Sequence, residues 1–107
     1  MTDPLYEQKA LICKALAHPI RVRIVEFLAS GERIVSEIVE HVGAKESNTS
    51  RHLGVLRAAG VVGARKDGMN VFYELRMPCL VNILSCVDDA ILEKAEYHKQ
   101  IAKWITS

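Results

Sequence analysis

Residues 36–62 read SEIVEHVGAKESNTSRHLGVLRAAGVV, and this stretch decides the fold. Ile38, Val39 and Val42 recur at helical spacing behind Ser36, whose hydroxyl can cap a helix start, and Gly43 stops the run. Ser47 can cap a second helix, with Leu53 and Leu56 inward and Gly60 at its end. Between them Gly43-Ala44-Lys45-Glu46 is a short, glycine-containing turn. Two helices joined in this way form a helix-turn-helix, which sends the N-terminal half of its second helix into the DNA major groove. Here that half is Ser47-Asn48-Thr49-Ser50-Arg51-His52, polar at every position. Spacings of three and four put Asn48, Arg51 and His52 on one face. Arg can bond guanine through two hydrogen bonds, Asn can do the same with adenine, and hydroxyls can hold phosphate. Ser47, Asn48, Ser50, Arg51 and His52 are therefore the candidate readers.

Outward from this motif the period changes. Val61-Val62 leads to Arg65-Lys66, the turn Asp67-Gly68, and the alternating run Asn70 to Leu75, a β-hairpin signal. Arg65, Lys66 and Asn70 fall where a wing would touch the flanking backbone or minor groove, and Arg57 adds a cation near the end of the reading helix. Upstream, Asp3-Pro4 starts a first helix that ends near His18, carrying Leu5, Leu11, Ile12, Ala15 and Leu16. Pro19 opens a second, Ile20 to Ala29, stopped by Gly31, and Ile34-Val35 is a short extended piece. Pro78 opens a last helix running to about Thr106. Its apolar stripe is Leu80, Ile83, Leu84, Val87, Ile91, Ala95, His98, Ile101 and Ile105. At 1.5 Å per residue it spans about 40 Å, longer than a small domain needs for its own core. The order is four helices, a hairpin and a long helix. The expected fold is mainly α with a small β-hairpin wing, a winged helix-turn-helix, with the helix-turn-helix at 36–59 and the wing at 61–75.

Size and charge agree with that order. The chain has 107 residues, one domain's worth (1–107), and 50% are hydrophobic. A chain this small often completes its core by pairing. No window approaches the roughly 18 apolar residues of a membrane span, and Met1-Thr2-Asp3-Pro4 lacks the basic and then apolar run of an export signal. A cytoplasmic protein without a membrane partner is expected. Net charge is only +1, but Lys45, Arg51, Arg57, Arg65 and Lys66 stand against Glu46 alone between positions 45 and 66. One basic face on a neutral domain suits a local contact to phosphate. A solvated helix face accounts for many polar runs, but not for its conjunction with a basic hairpin. Enzyme chemistry is not expected, since no Ser/His/Asp or Cys/His set is suggested. A winged helix used only for protein interaction would not need Asn48, Arg51, His52 and the basic wing together.

Three further strings carry a resemblance. Lys14 to Arg21 reads KALAHPIR, Thr49 to Val62 reads TSRHLGVLRAAGVV, and the wing ends in VFYEL at Val71 to Leu75. From about residue 10 to 75 the chain resembles the ArsR/SmtB family of bacterial metal- and stress-responsive repressors. The resemblance implies a homodimer whose first and last helices (1–18 and 78–106) form the interface. It implies a double-stranded, palindromic DNA operator and release by an inducer. Gly54 departs from the long polar residue usual there and reads as a site of close backbone approach.

The sensing motifs of the family are missing. Arsenic sensors often carry CVCD in the third helix, where this chain has Ile34-Val35-Ser36-Glu37. The zinc pattern of the last helix meets Met77-Pro78-Cys79 and Ala90, with only Glu93 retained. No cofactor is required by these residues. Thiols remain: Cys13 on the first helix, Cys79 and Cys86 on the last. With no CxxC and an odd count, they read as reduced thiols rather than a zinc finger or a disulfide framework. Seven residues of helix rise about 10 Å, so Cys79 and Cys86 cannot both reach one ion through bonds of about 2.3 Å unless the helix unwinds. A soft site must otherwise borrow a sulfur from another helix or subunit. As(III), Sb(III) or another thiophilic metal is the inducer such a site would take. Reversible thiol oxidation or persulfidation is the alternative, and core packing is the bland reading of each cysteine. His18 reads as a cap or packing residue, His41 as surface and His98 as buried. Asp88, Asp89, Glu93 and Glu96 read as a solvated face.

Overall fold

The computed structural model describes residues 3–106; Met1, Thr2 and Ser107, which the single-domain span and the reading of the N-terminus include, lie outside the described residues. Five helices and three strands follow one another: α1 (Pro4–Leu16), α2 (Pro19–Leu28), β1 (Arg33–Ile34), α3 (Val35–Val42), α4 (Glu46–Ala58), β2 (Val62–Asp67), β3 (Asn70–Leu75) and α5 (Cys79–Thr106). The chain is a winged helix-turn-helix: α3 and α4 are the motif, β2 and β3 the wing.

Local chemistry explains the boundaries. Asp3 caps α1 by accepting from the Leu5 N–H at 2.8 Å, and Pro4 occupies the first turn, where a missing N–H costs nothing. His18 caps α2 through its ring, Nδ1 accepting from the Ile20 N–H at 3.1 Å. Gly43 closes α3 at φ 68°, a left-handed conformation that glycine adopts without penalty. Two expected caps are corrected. Ser36 lies inside α3, because Ile34 holds the cap position and the Glu37 carboxylate accepts from its N–H at 3.2 Å. Ser47 lies inside the first turn of α4, whose cap is Lys45 without a side-chain bond.

The sheet has one strand more than the expected hairpin. β1 pairs antiparallel with β3, Ile34 opposite Phe72, and β2 pairs along the other edge of β3 from Val62↔Leu75 to Asp67↔Asn70. This short strand pins the start of α3 to the root of the wing. The core is one cluster under the motif: Ile24, Val25 and Leu28 of α2, Ile38 and Val42 of α3, Leu53 and Leu56 of α4, with Val61, Val62, Ala15 and Leu80.

The last helix scarcely joins this core. Only Leu80 of its 28 residues is buried, and from Ser85 onward every described residue is exposed. The radius of gyration is 17.5 Å, above the roughly 13 Å of a compact 100-residue domain. Ile83, Val87, Ile91 and Ile101 present their stripe to solvent, and α1 adds exposed Leu5, Tyr6 and Leu11. His98, expected buried on that stripe, is exposed, as no other element among the described residues covers it.

Candidate nucleic-acid interface

Helix α4 divides cleanly into two faces. Thr49, His52, Leu53 and Leu56, at spacings of three and four, are buried, which turns Ser47, Asn48, Ser50 and Arg51 to solvent. Thr49 spends its hydroxyl on its own helix, donating to the Lys45 carbonyl at 3.0 Å. Ser47 caps nothing, so its exposed hydroxyl is available to a ligand. Arg51 Nη2 donates to Asn48 Oδ1 at a long 3.5 Å, so the guanine-type and adenine-type readers stand side by side. Macrodipole and unpaired first-turn N–H groups add a partial positive charge at the same end.

His52 is a correction. It is 4% exposed and cannot reach a groove edge from this position. Its ring lies 4.2 Å from that of His18, and its Nδ1 is 3.2 Å from Arg21 Nη1. A guanidinium only donates, so Nδ1 accepts. Burial first, then the charges of His18, Arg21 and Arg51, hold the His52 pKa below its ordinary 6.5. Spacing put His52 beside Asn48 and Arg51, but it sits just past the border where the helix turns inward.

The wing is also less basic than its local sequence. Arg65 is paired with Glu32, Nε donating to Oε2 at 3.1 Å, and reaches Asp67 at 3.7 Å while its guanidinium lies 4.5 Å over the Phe72 ring. The bond from Arg65 and its charge hold the Glu32 carboxyl below its usual range. Arg65 stays exposed while it makes these contacts, and an exposed pair of this kind is weak enough to open to a phosphate. Glu32 comes from the turn after α2, outside the window that reads as basic. Lys66, Asn70 and Arg57 are exposed.

Two contributors escaped the sequence reading. Met69, 98% exposed, projects from the hairpin tip next to Gly68 at φ 62°. It lines a cleft with Ser36, Glu46, Ser50 and Asn70 between the reading helix and the wing. An apolar residue directly after Asp67-Gly68 was the available signal. Arg21 was read only as part of a string, and nothing in one-dimensional spacing links it to His52. Gly54 lies on the outward face with nothing within 4 Å of the position a Cβ would take. Among the described residues, nothing beyond its own helix and chain neighbours approaches it.

Cys13, Cys79 and Cys86 are all free and exposed in the single chain, so none packs in the core of one copy. Among the described residues no group of three or more His, Cys, Asp or Glu could hold a metal ion. Also among the described residues, no helix is long and apolar enough to cross a membrane.

Truncating Arg51 to Ala should cost about 1–3 kcal/mol of binding to a preferred duplex and relax its sequence preference. Competition binding against a panel of single-base variants measures both. Arg51 is exposed, so thermal stability should stay within about 0.5 kcal/mol of wild type.

Comparison with known proteins gives concordant findings. A family profile described as "Bacterial regulatory protein, arsR family" matches residues 18–63. The chain is 46% identical over 85 residues to the uncharacterized HTH-type transcriptional regulator Rv0081 of Mycobacterium tuberculosis, covering 78% of this chain and 75% of that one. The crystal structure of Rv0081 superposes with a TM-score of 0.75 at 41% identity, over 89% of this chain and 96% of that one. A solution structure from Mycobacterium bovis, Mb0332, described as a homodimeric winged helix-turn-helix DNA-binding domain and a possible ArsR-family regulator, gives a TM-score of 0.77 at 32% identity, over 88% and 93%. A probable mercury resistance operon repressor of Streptomyces lividans is 37% identical over 71 residues, 66% of this chain and 57% of that protein.

Proposed function

Because the chain belongs to the arsR family of bacterial regulatory proteins, we propose that it is a sequence-specific DNA-binding repressor that acts as a homodimer in the cytoplasm. The observation that carries this is the outward face of α4, where Ser47, Asn48, Ser50 and Arg51 stand exposed beside the wing on a helix anchored by Leu53 and Leu56. Two such helices, related by a twofold axis, would enter successive major grooves of a palindromic operator about 34–36 Å apart. Lys66, Asn70 and Arg57 hold the flanking backbone. Asymmetry in α5 supports the dimer: its stripe of exposed Ile83, Val87 and Ile91 has no cover among the described residues. The described dimer of Mb0332 supports it too.

Release from the operator is assigned to thiol chemistry at the interface helices. Cys13 lies on α1, Cys79 and Cys86 on α5, and all three are exposed. A thiophilic ion such as As(III) or Sb(III) would need sulfurs from both subunits, given the absence of a three-ligand group among the described residues. The repressor relative named for mercury resistance favours that reading. Reversible oxidation or persulfidation needs no metal-ligand set, only a thiol that a reagent can reach, and the three cysteines are exposed in the single chain.

Titrating the reduced protein on a selected duplex with arsenite, antimonite, cadmium, zinc and a persulfide donor separates these readings. Release by the metalloids that is lost in Cys79→Ser or Cys86→Ser, with affinity for DNA unchanged, supports the shared-metal reading. Release by the persulfide donor alone supports thiol modification. Release unaffected by all three Cys→Ser changes overturns thiol sensing. Binding to the duplex should weaken steeply as salt rises, and absence of any duplex binding at low salt overturns the DNA-binding reading.

A further inference from the structure

Only two polar side chains of α4 are buried, and they behave differently. Thr49 bonds within its own helix, whereas His52 contacts α2 through Arg21 and through His18, the α2 cap. The Arg21 guanidinium is the junction. Its Nε donates to the Ala15 carbonyl near the end of α1 at 2.6 Å, while Nη1 donates to His52 Nδ1 on α4. The His18 ring, which caps α2, packs on the His52 ring at 40°. One cluster thus joins α1, α2 and the reading helix. The guanidinium is a planar fork whose two bonds cannot be adjusted independently. A shift of α1 that moves the Ala15 carbonyl therefore moves the group that holds His52.

We propose that His52 is a positioning residue of the reading helix: by accepting from Arg21 it ties α4 to the carbonyl end of α1, so that the pose of Ser47 to Arg51 on DNA follows the placement of α1. The idea rests on α4 being the DNA-contacting helix. It gives the exposed apolar face of α1, with Leu5, Tyr6 and Leu11, a mechanical route to the recognition surface. Whatever packs on that face, a second copy of the chain included, sets where α1 sits.

The chemistry of the acceptor makes the tie sensitive to a proton. The titratable and charged groups that face His52 are His18, Arg21 and Arg51, none of them acidic. Protonation at Nδ1 would set a donor opposite the Arg21 donor and a second cation beside it. His52, with its pKa held below 6.5, is neutral at neutral pH. Its linkage contribution to stability is present above the unfolded-chain value and is lost as pH falls through the lower, folded value.

The test uses the full chain and a labelled duplex enriched from a random-sequence pool on the wild-type protein. His52→Asn places an amide oxygen where Nδ1 accepts and removes the titration. His52→Leu keeps comparable bulk and removes the acceptor. Arg21→Lys keeps the charge but cannot span both partners. At about pH 7.5, His52→Asn should bind within about threefold of wild type, while His52→Leu and Arg21→Lys bind at least about tenfold more weakly. As pH falls from about 7.5 to about 5, through the lowered folded value, wild type should progressively lose affinity relative to His52→Asn. Hydrogen exchange without DNA should show α4 amides less protected in His52→Leu and Arg21→Lys, and unchanged in His52→Asn. Equal affinity of wild type, His52→Leu and Arg21→Lys overturns the proposal, as do superimposable pH profiles of wild type and His52→Asn. Wild-type protein that enriches no duplex refutes the DNA-binding reading instead, and the exchange data still decide the α1–α4 tie.

Discussion

Replacing Ile91 by glutamate should leave the protein monomeric and weaken its binding to a two-half-site duplex by roughly 10²–10⁴-fold. Ile91 is 58% exposed in the single chain, in line with Ile83 and Val87 at steps of four residues. An apolar stripe of this length on a helix that adds only Leu80 to the buried core has one physical use, burial against another surface. A carboxylate at its centre must be desolvated when that surface forms, which is costly without a partner. Asp88, Asp89 and Glu93 already make this stretch acidic, so the new charge meets like charges on both copies. The folded monomer has no reason to suffer, because the site is open to water within the chain. The binding loss follows from linkage: two reading helices on one dimer act at high effective concentration, and two monomers do not. Sedimentation gives the oligomeric state, circular dichroism the fold, and anisotropy the affinity. A variant that stays dimeric, or a monomer that binds the duplex as tightly as wild type, contradicts the account.

Leu53→Ala should lower folding stability by about 2–5 kcal/mol. Leu53 is 0% exposed and sits on the inward face of α4 among Ile24, Ile38 and Leu56 in the core cluster. Against a total of about 5–15 kcal/mol for a typical domain, that is a large share. Denaturation at fixed protein concentration measures it, since dimerisation would make the midpoint concentration-dependent. Ser50→Ala is the matched control. It lies on the outward face of the same helix and should change stability by less than about 0.5 kcal/mol while weakening DNA binding. If the two substitutions affected stability alike, the division of α4 into a buried and a reading face would be wrong.

Much of the fold is legible because its signals are local. Asp3-Pro4 and His18-Pro19 announce helix starts, Gly43 a helix end and Asp67-Gly68 a hairpin turn, and each does so in the structure. The third strand is not legible, since two residues, Arg33 and Ile34, are too few for an alternating pattern and acquire strand geometry only by pairing with β3. The site divides in the same way. The exposure of Asn48 and Arg51 on one face of α4 is legible from helical spacing. His52 is misread by the same rule, as the boundary between faces depends on where α2 lies. The ion pair of Arg65 is not legible in a local window because its partner Glu32 is 33 residues away. Charge counted along a window cannot see a carboxylate delivered by another element. The cysteines fail in the opposite sense: composition favours burial, but α5 leaves the domain, and α1 turns Cys13 outward.

The central claim is that two copies of α4 lie in successive major grooves, and methylation protection of guanine N7 on a selected duplex tests it most directly. N7 lies in the major groove, within reach of Arg51. The account predicts two clusters of protected guanines about one helical turn apart, related by twofold symmetry, with Arg51→Ala removing protection from one guanine in each. Unchanged N7 reactivity on a duplex that the protein demonstrably binds, with protection confined to the minor groove, would contradict it.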